Sequence, residues 1–257
     1  MEIYKQREFI GLFGCIYKGK IKNLIIENSV IKLETDKTTS SYIGIMTGVS
    51  GDSAIINCRT NNCELEITTN KQCYIGGFVG ISSGGNYNNG MTGITGTSII
   101  ENNYNNTKIT VDNSAEGRNY IGGIVGYMSY TDTKNNYNTA EIAINEYNSA
   151  TGGIAGENYG TIKNCCNLGN ITTGGRSNYN SVGTGGITGS NHHIVESTYN
   201  MGNITGESSV GGIAGTNFTS PDNVLNSYNT GTISGDSEIG GIVRKKWFNK
   251  QYSVLWG

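Results

Sequence analysis

The feature that most constrains this chain is one short pattern that returns eight times along its 257 residues. Each copy begins with a glycine, usually followed by a second glycine and an aliphatic pair, as in GGIAG, and successive copies start 26 to 46 residues apart. The first glycines of the copies are Gly11, Gly44, Gly76, Gly122, Gly152, Gly185, Gly211 and Gly240. Self-similarity at such a period is typical of repeat architectures, in which each repeat buries its apolar face against its neighbours.

A second pattern follows the later glycine anchors, and it consists of an aromatic residue, an asparagine and, four residues further on, an isoleucine. The aromatic column is Tyr104, Tyr137, Tyr199 and Tyr228; the asparagines are Asn105, Asn138, Asn167, Asn200 and Asn229; the isoleucines are Ile109, Ile142, Ile171, Ile204 and Ile233. Cys166 replaces the tyrosine once, and Arg59 aligns with the tyrosines in an earlier repeat. The first two repeats keep Asn23 and Asn57 but lack the Tyr-Asn pair, as expected of terminal repeats.

Between the anchors, short β-branched runs are separated by Gly, Asn, Ser and Thr, a pattern typical of short strands. Helices are disfavoured, because each glycine inside a helix costs about 1 kcal/mol. The sequence therefore predicts an all-β, single-domain parallel β-helix, or β-solenoid, of about 7 to 8 coils of roughly 30 residues with about three strands each. Parallel crossovers favour the right-handed form.

Stacked coils about 4.8 Å apart place equivalent side chains directly above one another. The recurring glycines are expected to form left-handed turns at one corner. The asparagines are expected to form an inward ladder, in which each side-chain amide bonds the amide and the backbone of the coil above. The aliphatic anchor residues are expected to point into the core: Ile75, Val79, Ile124, Ile154, Ile187, Ile213 and Ile242.

Three segments depart from the repeat. Residues 1–9 are expected to be a lead-in or cap before the solenoid of residues 10–243. The longest interval, 46 residues, contains SSGGNYNNGMTGITG, so an inserted loop is expected over Ser82–Gly96. Residues 244–257, RKKWFNKQYSVLWG, mix basic and aromatic side chains and are expected to be an atypical C-terminal tail or cap.

The repeats GGIAGENYGTIKNCCNLGNI and GGIAGTNFTSPDNVLNSYNTGTI, and the opening IGLFGCIYKGKIKNLIIENSVI, resemble GLUG-motif repeats. The resemblance extends from about Phe9 to Val243. GLUG repeats occur in secreted and surface-attached bacterial proteins, including adhesin-like proteins and non-catalytic regions of some immunoglobulin-A-cleaving metalloproteases. The resemblance implies an extracellular or cell-surface location, an adhesive or spacer role, and a host or cell-surface glycan or protein as partner. Because no signal peptide or anchoring motif is recognisable, the chain is expected to be part of a longer polypeptide.

Composition excludes several classes of function. The net charge is −2, from 18 basic and 20 acidic residues, so a nucleic-acid-binding surface is not indicated. No apolar run approaches the ~20 residues of a transmembrane helix. The six cysteines form no CxxC pair and are interpreted as small apolar fillers of the core.

No catalytic, cofactor or metal site is expected from the motifs, and the chain is predicted not to be an enzyme. His192 and His193 are adjacent rather than spaced as in HExxH, and are interpreted as exposed loop residues. Glycoside hydrolysis requires a converging pair of carboxylates, and the acidic residues of this sequence show no such pairing. Glu101, Glu141, Glu196 and Glu238 occur at differing offsets in their coils, and Asp112, Asp132 and Asp222 share no column. The alternative function is a carbohydrate-binding or polysaccharide-active β-helix.

The tyrosine column is the one candidate ligand-binding feature. If Tyr104, Tyr137, Tyr199 and Tyr228 face outward, they form an aromatic ladder suited to stacking on sugar rings; if they face inward, they fill the core. The alignment of Arg59 with this column favours the outward position.

Overall fold

The computed structural model describes residues 8–35, 40–85, 96–113, 118–146, 149–174, 182–219 and 223–246. The regular elements in these ranges are short β-strands, and none of the described residues belongs to an α-helix. Accordingly, this part of the chain contains no helix with the length and apolar character of a membrane span.

The strands follow one another around successive coils. The first coil comprises β1 Glu8–Ile10, β2 Phe13–Tyr17, β3 Lys20–Lys22, β4 Ile25–Glu27 and β5 Val30–Thr35. The second comprises β6 Ser41–Gly44, β7 Thr47–Gly51, β8 Ala54–Ile56, β9 Arg59–Asn61 and β10 Cys63–Thr69. The third comprises β11 Cys73–Gly76, β12 Val79–Ser83, β13 Ser98–Glu101, β14 Tyr104–Asn105 and β15 Thr107–Asn113. The next two comprise β16 Asn119–Gly122, β17 Val125–Lys134, β18 Tyr137–Asn138 and β19 Ile142–Glu146; β20 Ser149–Gly152, β21 Ala155–Lys163, β22 Cys166–Asn167 and β23 Ile171–Gly174. The remainder comprise β24 Thr184–Gly185, β25 Thr188–Asn191, β26 Val195–Glu196, β27 Tyr199–Asn200 and β28 Ile204–Thr205; β29 Ser208–Gly211, β30 Ala214–Asn217, β31 Val224–Leu225, β32 Tyr228–Asn229 and β33 Ile233–Ser234; β34 Ser237–Gly240 and β35 Val243–Lys246.

These strands form four parallel sheets that run along the solenoid. Sheet A has the order β1-β6-β11-β16-β20-β24-β29-β34, and sheet B has the main order β2-β7-β12-β17-β21-β25-β30-β35, extended sideways by β3, β8, β13, β26 and β31. Sheets C and D each stack seven strands, from β4 to β32 and from β5 to β33. The predicted all-β parallel solenoid is confirmed, and its number of coils is close to the number expected. Each coil crosses four sheets rather than the expected three.

The register explains the repeat. Gly76 pairs with Gly44 on one side and with Gly122 on the other, and Tyr104 pairs with Tyr137. Equivalent residues therefore lie one above another along the axis, as the spacing predicts.

The core runs the length of the solenoid between the sheets. All of the predicted core residues are fully buried except Ile242, which is half-buried in the last coil. Phe78 occupies the third-coil position that Ile124 and Ile154 fill in later coils, and it is also fully buried. The core prediction is confirmed, and Ile242 differs because the described coils end beside it.

The expected reason for the recurring glycines is wrong. Among the described residues, Gly85 is the one glycine in the left-handed region, with φ of 66°. The corner glycines are required instead by close packing of the backbone: a Cβ on Gly153 would lie 2.3 Å from Asn167 Cγ and 2.4 Å from the Gly186 carbonyl oxygen. The shortest real Cβ contacts are longer than this, so only glycine fits.

Asparagines occupy most of the left-handed positions. One column of left-handed residues, six asparagines and one serine, has φ between 48° and 56°: Asn23, Asn57, Asn102, Asn135, Asn164, Ser197 and Asn226. Asparagine tolerates this region better than other residues with a Cβ. Asn23 and Asn57 therefore belong to this turn column and not to the column of Asn105.

The predicted inward asparagine ladder is present. Asn105 Nδ2 donates to Asn138 Oδ1 at 2.8 Å, and the bonds from Asn138 to Asn167, from Asn167 to Asn200 and from Asn200 to Asn229 are each 2.7 Å long. From Asn138 onward, a second bond of each amide goes to the carbonyl two residues later in its own coil, not to the coil above: Asn167 Nδ2 donates to the Gly169 oxygen at 2.8 Å. These bonds satisfy amides that have no access to water.

The segment boundaries need three corrections. Ser82 and Ser83 belong to β12, so the insertion starts later than predicted. Residues 86–95 lie outside the described ranges, and Gly85 N donates to the Gly96 oxygen at 2.6 Å where the flanks meet. Strand β1 begins within the predicted lead-in, and β35 extends to Lys246, whereas residues 1–7 and 247–257 lie outside the described part.

Five of the six cysteines are buried fillers, as predicted, whereas Cys15 is exposed. All six are free thiols. Burial raises the pKa of the Cys165 thiol to about 12. Cys165 is therefore a packing group and not a nucleophile at neutral pH.

Replacing Ile154 with Asp should destabilise the fold by several kcal/mol, about 3 or more, because it buries an unpaired charge. Ile25, of which 60% is exposed, is the matched control, and Ile25→Asp should cost less than about 1 kcal/mol. Urea denaturation followed by circular dichroism measures both. Equal costs would show that the core face is assigned wrongly.

Gly153→Ala should be strongly destabilising because its Cβ would overlap backbone and Asn167, whereas Gly174→Ala should be close to neutral. The nearest atom to a Cβ on Gly174 is 3.6 Å away, an ordinary contact. Thermal unfolding of the two variants distinguishes close packing from chain flexibility as the cause. If glycine served only flexibility, both substitutions would change the melting temperature alike.

Candidate functional site

The tyrosine column lies on the outer surface, on sheet C. The side chains of Tyr137 and Tyr228 are 43% and 53% exposed, and those of Tyr104 and Tyr199 are half-buried. Arg59 pairs with Tyr104 in register, and its Cζ lies 4.5 Å from the centre of the Tyr104 ring. The alignment of Arg59 therefore indicated the correct face.

The faces of these rings are largely used within the ladder. Tyr199 and Tyr228 stack with ring centres 5.3 Å apart and an interplanar angle of 6°. Cys166 stands in the column where a tyrosine is missing, and its thiol is hydrogen-bonded to the Tyr199 hydroxyl. This hydrogen bond raises the pKa of Tyr199 to about 12. Arg59 covers one face of Tyr104. One face each of Tyr104, Tyr199 and Tyr228 is therefore covered within the column.

The acidic residues form neutralised pairs on the surface. Glu101 and Glu196 share one column, contrary to the prediction, but Lys134 and Lys163 separate them. Lys163 Nζ lies 3.0 Å from Glu196 Oε2.

Of the remaining acids, Asp112 lines a surface pocket of about 230 Å³ together with Glu34, Glu64 and Glu66, where Lys32 pairs with Glu66 at 2.8 Å. Glu141 lies 3.6 Å from Lys108, Glu238 pairs with Arg244, and Asp222 lies outside the described residues. Asp112 pairs in register with Asn145. Across the described ranges, no group of three or more His, Cys, Asp or Glu side chains is arranged to hold a metal ion.

One coil breaks the regular register on sheet B. Ser129 pairs with Tyr159 but Asp132 pairs with Thr161, so β17 carries one more residue than β21 between these pairs. The bulge contains Tyr130, which has φ of 44° and is 62% exposed. Bulges and bulky residues with positive φ are uncommon and concentrate at functional sites.

The backbone of the bulge is stabilised by contacts of the buried residue Thr131. The buried Thr131 hydroxyl donates to the Ser129 carbonyl oxygen at 2.9 Å and lies 3.2 Å from the Ser82 oxygen. A Cβ on Gly160 would lie 2.3 Å from the Thr131 oxygen, so this glycine lets the bulge sit against the next coil. Tyr130 is therefore fixed in an outward position.

Beside the bulge, sheet B carries an open groove of about 650 Å³. It is lined by Thr97, Tyr127, Ser129, Tyr130, Thr131, Asp132, Tyr159, Gly160, Thr161, His192 and His193. Its volume lies within the range of small-molecule sites in proteins.

A stack of three rings runs beside the groove, and two of them, Tyr159 and His192, line it. Tyr159 and His192 are 4.1 Å apart at 9°, and His192 and Phe218 are 4.4 Å apart at 5°. All three stand seven residues after an anchor glycine, so their alignment was readable from the spacing. The expectation that both histidines are exposed loop residues is wrong for His192, which is half-buried in this stack; His193 is exposed.

His192, which lines the groove, contacts the buried carboxylate of Glu157, which is not itself a lining residue. Glu157 is 3% exposed; His192 Nε2 donates to its Oε1 at 3.1 Å, and Arg118 Nη1 lies 3.8 Å from the same oxygen. At the rim, Asp132 pairs with Lys134 at 2.8 Å. Because a buried carboxylate is tolerated only when paired, Glu157 is engaged in fixing His192.

The arrangement is therefore an open, nearly neutral groove with aromatic walls, short hydroxyl side chains and imidazoles at its rim. Such a surface can bind an amphipathic ligand by ring contacts and hydrogen bonds. Comparison of the chain with protein-family models, with curated proteins and with solved structures finds no match.

Proposed function

We propose that this chain is a non-enzymatic adhesive scaffold, a repeat region of a secreted bacterial surface protein. The observation that carries the proposal is the contrast, within the described residues, between the regular stack of coils and the bulged coil at Tyr130, beside which an exposed aromatic groove lies on a lateral face. A stacked solenoid is stiff and can hold such a face away from its attachment point.

Two further features support this proposal. The resemblance of the repeats to GLUG motifs implies a bacterial surface location and an adhesive or spacer role. The carboxylates beside the groove are engaged: Asp132 with Lys134, and Glu157 with His192 and Arg118. They therefore lack the free, converging pair that glycoside hydrolysis uses.

A second candidate is a polysaccharide-active protein, because Asp132 lines the groove together with His192, which is hydrogen-bonded to Glu157. The burial of Glu157 argues against direct contact of its carboxylate with a substrate. Release of reducing ends from a panel of polysaccharides would favour this candidate.

Beads coated with the chain should be retained on epithelial-cell monolayers or on fixed bacterial cells more strongly than albumin-coated beads, without release of reducing ends. Retention no greater than that of albumin beads on both surfaces would contradict the adhesive role. A variant with Tyr104, Tyr137, Tyr199 and Tyr228 changed to Ala tests the sheet C column. Equal retention of this variant would remove these tyrosines from the adhesive surface and leave the groove as its location.

A further inference from the structure

We propose that the groove on sheet B binds a neutral sugar unit of a glycan, held between Tyr130 and Tyr159. The inference rests on the proposed adhesive function and names its ligand class and its site. It places the ligand on sheet B, at two exposed tyrosines that line one groove, and not on the sheet C column.

The geometry of Tyr159 carries the first step. His192 covers one of its faces at 4.1 Å and 9°, but Tyr127, on the other side, is tilted by 37° with its ring centre 5.7 Å away. Tyr159 is nevertheless 41% exposed and lines the groove, so part of its ring is accessible from there. A pyranose can place its C–H groups against such a ring, as apolar groups do on aromatic faces.

Tyr130 supplies the opposite side. Tyr130 follows Ser129, which pairs in register with Tyr159, and the bulge turns Tyr130 outward. Both tyrosine rings therefore line the same groove. A Cβ on Gly85 would lie 3.0 Å from the Tyr130 ring, so the backbone supports this ring from one side. Both rings are thus positioned before a ligand arrives, which limits the entropy lost on binding.

The polar groups of the groove fit a neutral polyol. Thr97, Thr161 and His193 line it with hydroxyl and imidazole groups, and its rim carboxylate, Asp132, is balanced by Lys134. No excess of positive charge is present among these lining residues to select an anionic ligand. Short hydroxyl and imidazole groups donate and accept hydrogen bonds, as sugar hydroxyls require.

The test is isothermal titration calorimetry of the whole chain with neutral oligosaccharides of glucose, mannose, galactose and xylose, and with an acidic galacturonan. At least one neutral oligosaccharide should bind, and about 0.5 M NaCl should leave its affinity unchanged. Tyr130→Ala and Tyr159→Ala should each weaken it by about tenfold. Tyr130→Phe should retain the affinity, because the ring is kept.

Tyr137→Ala is the matched control, since Tyr137 is 43% exposed on sheet C, and it should bind as the unaltered chain does. Loss of affinity in Tyr137→Ala with full affinity in Tyr130→Ala and Tyr159→Ala would overturn the groove as the site. Binding of the galacturonan alone, or of no oligosaccharide, would overturn the ligand class. In that case, retention of coated beads on cells would still support the adhesive function, so the two proposals fail separately.

Discussion

The structure depends on the fixed parallel register between successive coils. Because each coil lies directly on the previous one, a residue has its equivalent above and below it at the separation of neighbouring strands. A side chain that stacks well on itself is therefore favoured at every level of its column. The column of Asn105 shows the consequence, since the amides of Asn138, Asn167 and Asn200 each donate to the next asparagine and to a carbonyl of their own coil. One misaligned coil would interrupt every column at once.

The same register explains how far the sequence was informative. Anything that repeats could be predicted: the parallel solenoid, the buried column of Ile154, the inward asparagines and the outward tyrosines. Gly153 was located correctly but for the wrong physical reason. The sequence shows that a glycine recurs, but a left-handed turn and a close backbone approach produce the same recurrence. Only the positions of Asn167 and Gly186 around it distinguish the two.

The candidate groove was missed because it arises where the repeat fails. Tyr130 belongs to no column, and the extra residue in β17 is invisible when anchors are aligned across intervals of unequal length. His192 was dismissed because adjacent histidines suggest an exposed loop, although it shares a column with Tyr159 and Phe218. The pairing of Glu157 with Arg118 joins strands that are distant in sequence. In this repeat protein, the recurring residues determine the scaffold, and the residues that depart from the repeat form the candidate site.

The central claim is that stacked, water-excluded amide ladders fix the register, and hydrogen exchange of asparagine side chains tests it most directly. After transfer to D₂O, the side-chain NH₂ signals of Asn105, Asn138, Asn167 and Asn200, all fully buried, should persist in ¹⁵N-edited spectra. Those of Asn203, which is exposed, should disappear at the rate of a free amide. Exchange of the ladder amides as fast as that of Asn203 would contradict the account.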